Sequence, residues 1–154
     1  MTGHDLVRMV FELDSNAWHG TGRERLWVEP VGRARFRLRN TPFHAFGVSA
    51  EDIVIGEHRG GELFYSRVSI RGGHSSYRLR LSQSNNQFSS YWAPLERLGC
   101  SYEEGPTIGV DVPPRADIYE VYALLEAGEA ADAWDFEEGH CGHPLRDQVT
   151  KDST

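Results

Sequence analysis

Lysine is nearly missing from this chain: of 16 basic residues in 154, one alone, Lys151, is lysine. Every basic group ahead of it is therefore a guanidinium fork, suited to holding carboxylates in bidentate fashion. Cysteine is almost as scarce. Cys100 and Cys141 are too few for a disulfide framework, and both are expected to be reduced. No apolar run approaches the ~18 residues of a membrane span. The polar start Met1 to Asp5 has no apolar signal-peptide core, so the expected location is cytoplasmic, away from any membrane. Nucleophile elbows, phosphate-binding loops, zinc-protease His-Glu-x-x-His patterns, internal repeats and low-complexity tracts are likewise missing.

What is present is the composition of an ordinary globular chain, 39% hydrophobic and 11% aromatic, at a length that supports one compact unit. Its net charge of −7 is unevenly spread. Residues 1–100 carry 13 Arg against 10 Asp or Glu, a balance of +3, whereas residues 101–154 carry 3 basic against 13 acidic residues, a balance of −10. An acidic second part repels phosphates.

Period-two alternation dominates the first half. Met9, Phe11 and Leu13 share one face of a strand over residues 6–13. The polar stretch 14–22 is a connection from which Trp18 folds back over the core. Residues 25–29 form a second strand, stopped by Pro30. In the third, residues 33–39, Ala34, Phe36 and Leu38 face inward and Arg33, Arg35, Arg37 and Arg39 outward. After a loop over residues 43–50, two further strands, 52–57 and 62–70, flank the Arg59-Gly60-Gly61 turn. Five short strands with no helical period point to a small SH3-like β-barrel or bent sheet, because closure removes exposed edges.

Past the glycine pair Gly72-Gly73 the pattern mixes helix and strand. Tyr77, Leu79 and Leu81 alternate with arginines. Phe88, Tyr91, Trp92, Leu95 and Leu98 then recur at helical spacing, with Pro94 placing the regular helix start near Ala93 and Gly99 as its cap. Short strands at 100–103 and 107–112 precede a helix capped by Asp117 and ended by Gly128, and a last strand contains Trp134-Asp135-Phe136. Strand, helix, strand, strand, helix, strand is the order of a ferredoxin-like split βαβ unit. The expected fold class is thus α+β: an all-β part over residues 1–72, an α+β part over 73–144 and a frayed polar tail over 145–154, packed as one compact unit.

Several segments, in order, carry a family likeness: Glu24-Arg25-Leu26-Trp27-Val28, Thr41-Pro42-Phe43, Asp52-Ile53-Val54, Gly73-His74-Ser75, Val110-Asp111-Val112-Pro113, Leu124-Leu125-Glu126-Ala127-Gly128 and Trp134-Asp135-Phe136-Glu137-Glu138. Together they resemble a bacterial family known only as a domain of unknown function, number 4265 of its series. The resemblance implies one unit spanning nearly the whole chain, and no activity, cofactor or catalytic residue.

Three groups of residues carry candidate chemistry. His140, Cys141 and His143, joined by His74 from the glycine hinge, offer imidazole and thiolate ligands suited to zinc, although paired clusters of standard spacing are missing. His74 beside Ser75 and Ser76 offers a general base without metal, which needs a nucleophile within reach and a third group to orient it. Arg35, Arg37 and Arg39, extended by Arg78, form a comb able to track a single-stranded nucleic acid, with the overall acidity of the chain standing against that use. The expectation is a non-catalytic interaction or accessory domain whose partner is another protein. The alternatives are a small metal-dependent or general-base enzyme and nucleic-acid binding.

Overall fold

The computed structural model describes residues 5–14, 16, 22–83 and 87–146, which form nine strands and two helices. The expected turn of Trp18 and, apart from Leu145 and Arg146, the tail expected to fray over 145–154 fall outside the described residues.

Strands β1 (Val7–Glu12), β2 (Arg23–Gly32), β3 (Arg35–Leu38), β4 (Ile53–Arg59) and β5 (Glu62–Ile70) close into a barrel in chain order. Neighbours along the chain pair antiparallel, and a parallel pairing of Val10 with Phe64 joins β1 to β5. In β1 to β3 the alternation sorts the side chains as expected, with Met9, Phe11, Leu26, Val28, Phe36 and Leu38 filling the barrel; in β4 it is Val54 that joins them, while Ile53 and Ile55 are half-buried and Ile70 of β5 is exposed. Ala34 also departs from the expected face. It is exposed in the turn before β3 with φ of 57°, so Phe36 and Leu38 alone form the inward face of that strand.

The second half is a four-stranded antiparallel sheet in the order β7-β8-β6-β9, built from β6 (Ser75–Leu81), β7 (Ser101–Glu104), β8 (Ile108–Val112) and β9 (Trp134–His140). Helices α1 (Phe88–Arg97) and α2 (Ile118–Ala130) pack against Tyr77, Leu79, Val110, Val112 and Trp134 through Trp92 and Leu95 of α1 and Ile118, Val121 and Leu125 of α2.

Two helix boundaries correct the sequence reading. Helix α1 starts at Phe88, with Pro94 inside it rather than in its first turn. The amide that proline lacks would have bonded to Ser90, which is exposed and can turn its carbonyl to water. Helix α2 passes through Gly128 to Ala130, and Gly128 is buried against the Trp134 indole. Its role is close approach, not termination.

The helix-free face of the sheet meets the barrel through the connection between β3 and β4. Gly47 donates its amide to the Gly139 carbonyl at 3.0 Å, and the Ser76 hydroxyl donates to the Val48 carbonyl at 3.2 Å. Arg78 reaches the Ala45 carbonyl from the sheet side. From the barrel side, the buried Glu24 carboxylate accepts from the amides of Phe43 (2.6 Å), His44 (3.1 Å) and Ala45 (2.9 Å). What reads as a loop in sequence is the wall between the two sheets.

Candidate functional site

Residues 71–76 carry the chain from barrel to sheet, and the hinge turns at Gly73, whose φ of 87° favours glycine. Beyond it His74 places Nδ1 at 2.9 and 3.1 Å from the two carboxylate oxygens of Asp111 on β8. Both side chains are 17% exposed. Burial pushes the Asp111 carboxyl up from its ordinary value, and the His74 ring pulls it back. An acid inside the apolar run Ile108 to Val112 was the one sequence signal for this pair, since a carboxylate in such a strand needs a partner.

Ser75 opens β6, and its hydroxyl lies 2.6 Å from Nδ1 of His143. Nε2 of the same ring lies 2.9 Å from the Pro113 carbonyl, which can only accept. The Nε2 nitrogen therefore carries the hydrogen, Nδ1 accepts from Ser75, and the Ser75 oxygen accepts in turn from the Gly142 amide at 2.9 Å. Serine, imidazole and orienting carbonyl stand in the order of a nucleophile, its base and its support. Ser75, however, is fully buried and His143 is 8% exposed, so a substrate has no path to the hydroxyl in this conformation. The trio fastens the segment after β9 onto the ends of β6 and β8.

The expected zinc cluster is not gathered. Both ring nitrogens of His143 are engaged, the Cys141 thiol points to the His143 carbonyl at 3.6 Å, and His74 is held by Asp111. Among the described residues, no group of three or more His, Cys, Asp or Glu is placed to hold a metal ion. Cys100, buried under the helices, has its thiol pushed up to about 12 by that burial.

His140 pairs with Ser76 across β6 and β9, and its Nε2 is buried without a hydrogen-bond partner among the described residues. Burial, then the positive charge of Arg71, hold its imidazole below the ordinary 6.5. The unfolded chain thus takes up this proton at higher pH than the fold does. The stability that neutral His140 contributes is present above the unfolded value and is lost as pH falls through the folded one. Urea midpoints measured at about pH 7.5 and about pH 5.5 should fall less in His140→Gln than in the parent chain. Equal falls would remove His140 as a source of the pH dependence.

The arginine comb divides. Arg35 and Arg39 are exposed and Arg37 is half-buried, with Arg39 3.2 Å from Glu51 and Arg37 at looser distances of 3.7 and 3.9 Å from Glu29 and Glu51. Arg78 does not belong with them. It is 2% exposed, lies under the Phe46 ring at 4.8 Å, and is covered because the β3–β4 connection closes over that face of the sheet.

A different set completes the outer barrel face. Cross-strand register aligns Arg37 with Ile53 and Ile53 with Ile70, and in the neighbouring row Arg35 with Ile55 and Ile55 with Arg67. Ile70 is 54% exposed, and Arg35 and Arg67 have no ion pair within 4.0 Å among the described residues. The result is an isoleucine patch flanked by guanidinium groups. Sequence reasoning missed Ile53, Ile70 and Arg67, whose common face depends on bulges in the β4–β5 pairing.

Comparison with known proteins yields a family and a fold. The model of a family described as a domain of unknown function (DUF4265) matches residues 24–136. A solved structure described as a novel crystal structure of a hypothetical protein from Neisseria gonorrhoeae is similar with a TM-score of 0.75 at 17% identity, covering 90% of this chain and 96% of that one. No curated protein matches. Among the described residues, no helix is long and apolar enough to cross a membrane.

Proposed function

We propose that this chain, which belongs to the DUF4265 family, is a non-catalytic interaction domain that docks an acidic protein segment on the outer face of its barrel. The observation that carries this reading is the grid of Arg35, Arg37 and Arg67 around Ile53, Ile55 and Ile70. The exposed Ile70 beside the half-buried Ile53 and Ile55 favours a partner with apolar side chains, and two arginines without ion pairs favour carboxylates on that partner. Nucleic acid fits less well. The exposed ring available for stacking beside this face, Trp27, is already covered by Arg8 at 4.8 Å, and isoleucine has no stacking surface for a base. In the same reading the barrel is SH3-like and the β7-β8-β6-β9 sheet ferredoxin-like, with the parts dividing near residue 72 and one cytoplasmic unit resulting.

The test is a titration with a peptide alternating glutamate and leucine, followed by calorimetry. Saturable binding that weakens with salt is expected, and Arg35→Glu with Arg67→Glu should weaken it by about tenfold or more. Equal binding by an uncharged peptide of the same length, or tighter binding by a single-stranded oligonucleotide, would overturn the assignment.

One observation favours a second reading, a general base at His74, because its ring is held by Asp111 while 17% of it meets solvent. That reading requires a substrate turned over with a pH profile that His74→Gln abolishes.

A further inference from the structure

Helix α2 carries a second stripe beside its core face. Ile118, Val121, Leu125 and Gly128 are buried, whereas Tyr119, Tyr122, Ala123 and Glu126 stand at three- and four-residue spacing on an adjoining face. Across from this stripe lie Tyr77 and Glu138, which are directly paired between β6 and β9. Together with Cys141 and Leu145 they line an open cavity of about 470 Å³. This is the size of a small-ligand pocket, which typically combines an apolar lining with a few placed polar groups.

The lining is specific in character. Tyr122 is 42% exposed, and its ring lies 6.5 Å from Tyr77 and 5.5 Å from Phe136. Its polar groups include two carboxylates, Glu126 and Glu138, both exposed. Glu138 accepts from the Tyr77 hydroxyl at 3.4 Å, and neither carboxylate has an ion pair within 4.0 Å among the described residues. Aromatic faces beside uncompensated carboxylates attract cations, through the ring quadrupole and through charge. The chain already uses one ring in this way: the Arg146 guanidinium sits 4.1 Å over Tyr119, whose hydroxyl accepts from the Arg146 amide at 2.7 Å. The exposed Tyr122 ring and both carboxylates are left over, in the part of the chain whose charge balance is −10.

We infer that this cavity binds a small organic ammonium ion with an apolar body, its body against Tyr122 and Ala123 and its charge held by Glu126 and Glu138. The inference is independent of the barrel face, which lies on the other sheet and selects the opposite charge.

The probe is phenethylammonium, with 2-phenylethanol and hydrocinnamate as its neutral and anionic counterparts, followed by amide chemical shifts in the full chain. Phenethylammonium should give saturable shifts at Tyr122, Ala123 and Cys141 and bind about tenfold tighter than the alcohol. Hydrocinnamate should bind weaker still. Glu126→Gln with Glu138→Gln, at exposed positions that leave the fold intact, should erase the preference for the amine. Equal binding of amine and alcohol would reduce the site to an apolar crevice and overturn the inference. So would a preference that survives both substitutions, or shifts that never saturate.

Discussion

Gly128→Ala is expected to lower the urea midpoint and to cost about 2 kcal/mol or more of stability, against its helix propensity. Propensity alone favours the substitution, because alanine inside a helix is better than glycine by about 1 kcal/mol. The opposing effect is steric. A Cβ on Gly128 would run into the six-membered part of the Trp134 indole and stand 2.7 Å from its Nε1. The ring has nowhere to go: Trp134 is 1% exposed, its Nε1 donates to the Leu125 carbonyl at 3.0 Å, and Phe88 and Tyr91 meet it edge-on at 5.9 and 6.4 Å. Forcing extra volume into such a packed site costs roughly 1–3 kcal/mol, and more where nothing can shift, so the clash outweighs the propensity gain. The same substitution in a Trp134→Phe background should cost distinctly less, since the smaller ring leaves room for the methyl. An unchanged or raised midpoint for Gly128→Ala in the parent chain would show that helix and indole separate easily, contrary to this packing.

That glycine shows how far the sequence could be read. A glycine after an apolar helical stripe signals a helix end, and Gly99, with φ of 101°, does cap α1. Gly128 carries the same local signal and does something else, because the indole it makes room for belongs to a strand formed later in the chain. Alternation in β6 placed Arg78 on the face opposite Tyr77 and Leu79, and the side assignment holds. Alternation reports a side and not what covers it. Residues 43–50 close over that side, so Arg78 is buried while Arg35, on the equally regular β3, is exposed. The hinge behaves similarly. His74 and His143 both found partners, Asp111 and Ser75, that only the pairing of β6 with β8 and the return of the chain after β9 bring within reach. The ordered segments that suggested the family needed no such geometry, and the matched residues 24–136 contain all but the last two residues of them.

The largest expected effect on how the two sheets hold together comes from Glu24 and Arg78, which grip Ala45 through the two peptide groups on either side of its Cα. The Ala45 amide donates to Glu24 at 2.9 Å, and the Ala45 carbonyl accepts from Arg78. A buried carboxylate and a buried guanidinium thus meet through one residue's backbone, and the charge of Glu137, 4.0 Å from Arg78, and then that of Glu24 oppose the effect of burial on the guanidinium. Removing either one leaves unmatched polar groups in the interior. Glu24→Ala strands the amides of Phe43, His44 and Ala45, and Arg78→Met strands the Ala45 carbonyl beside an uncompensated carboxylate. Each single substitution should cost about 3 kcal/mol or more, the range for breaking a buried charge arrangement from one side. The pair together should cost less than the sum by about 1–2 kcal/mol, because the second change no longer exposes a charge that the first had left alone. Amide exchange should rise first at residues 43–49, the segment both side chains hold, including the Gly47 amide that donates to the Gly139 carbonyl. Strict additivity in the cycle would mean that Glu24 and Arg78 act on their own sheets separately and that Ala45 does not couple them.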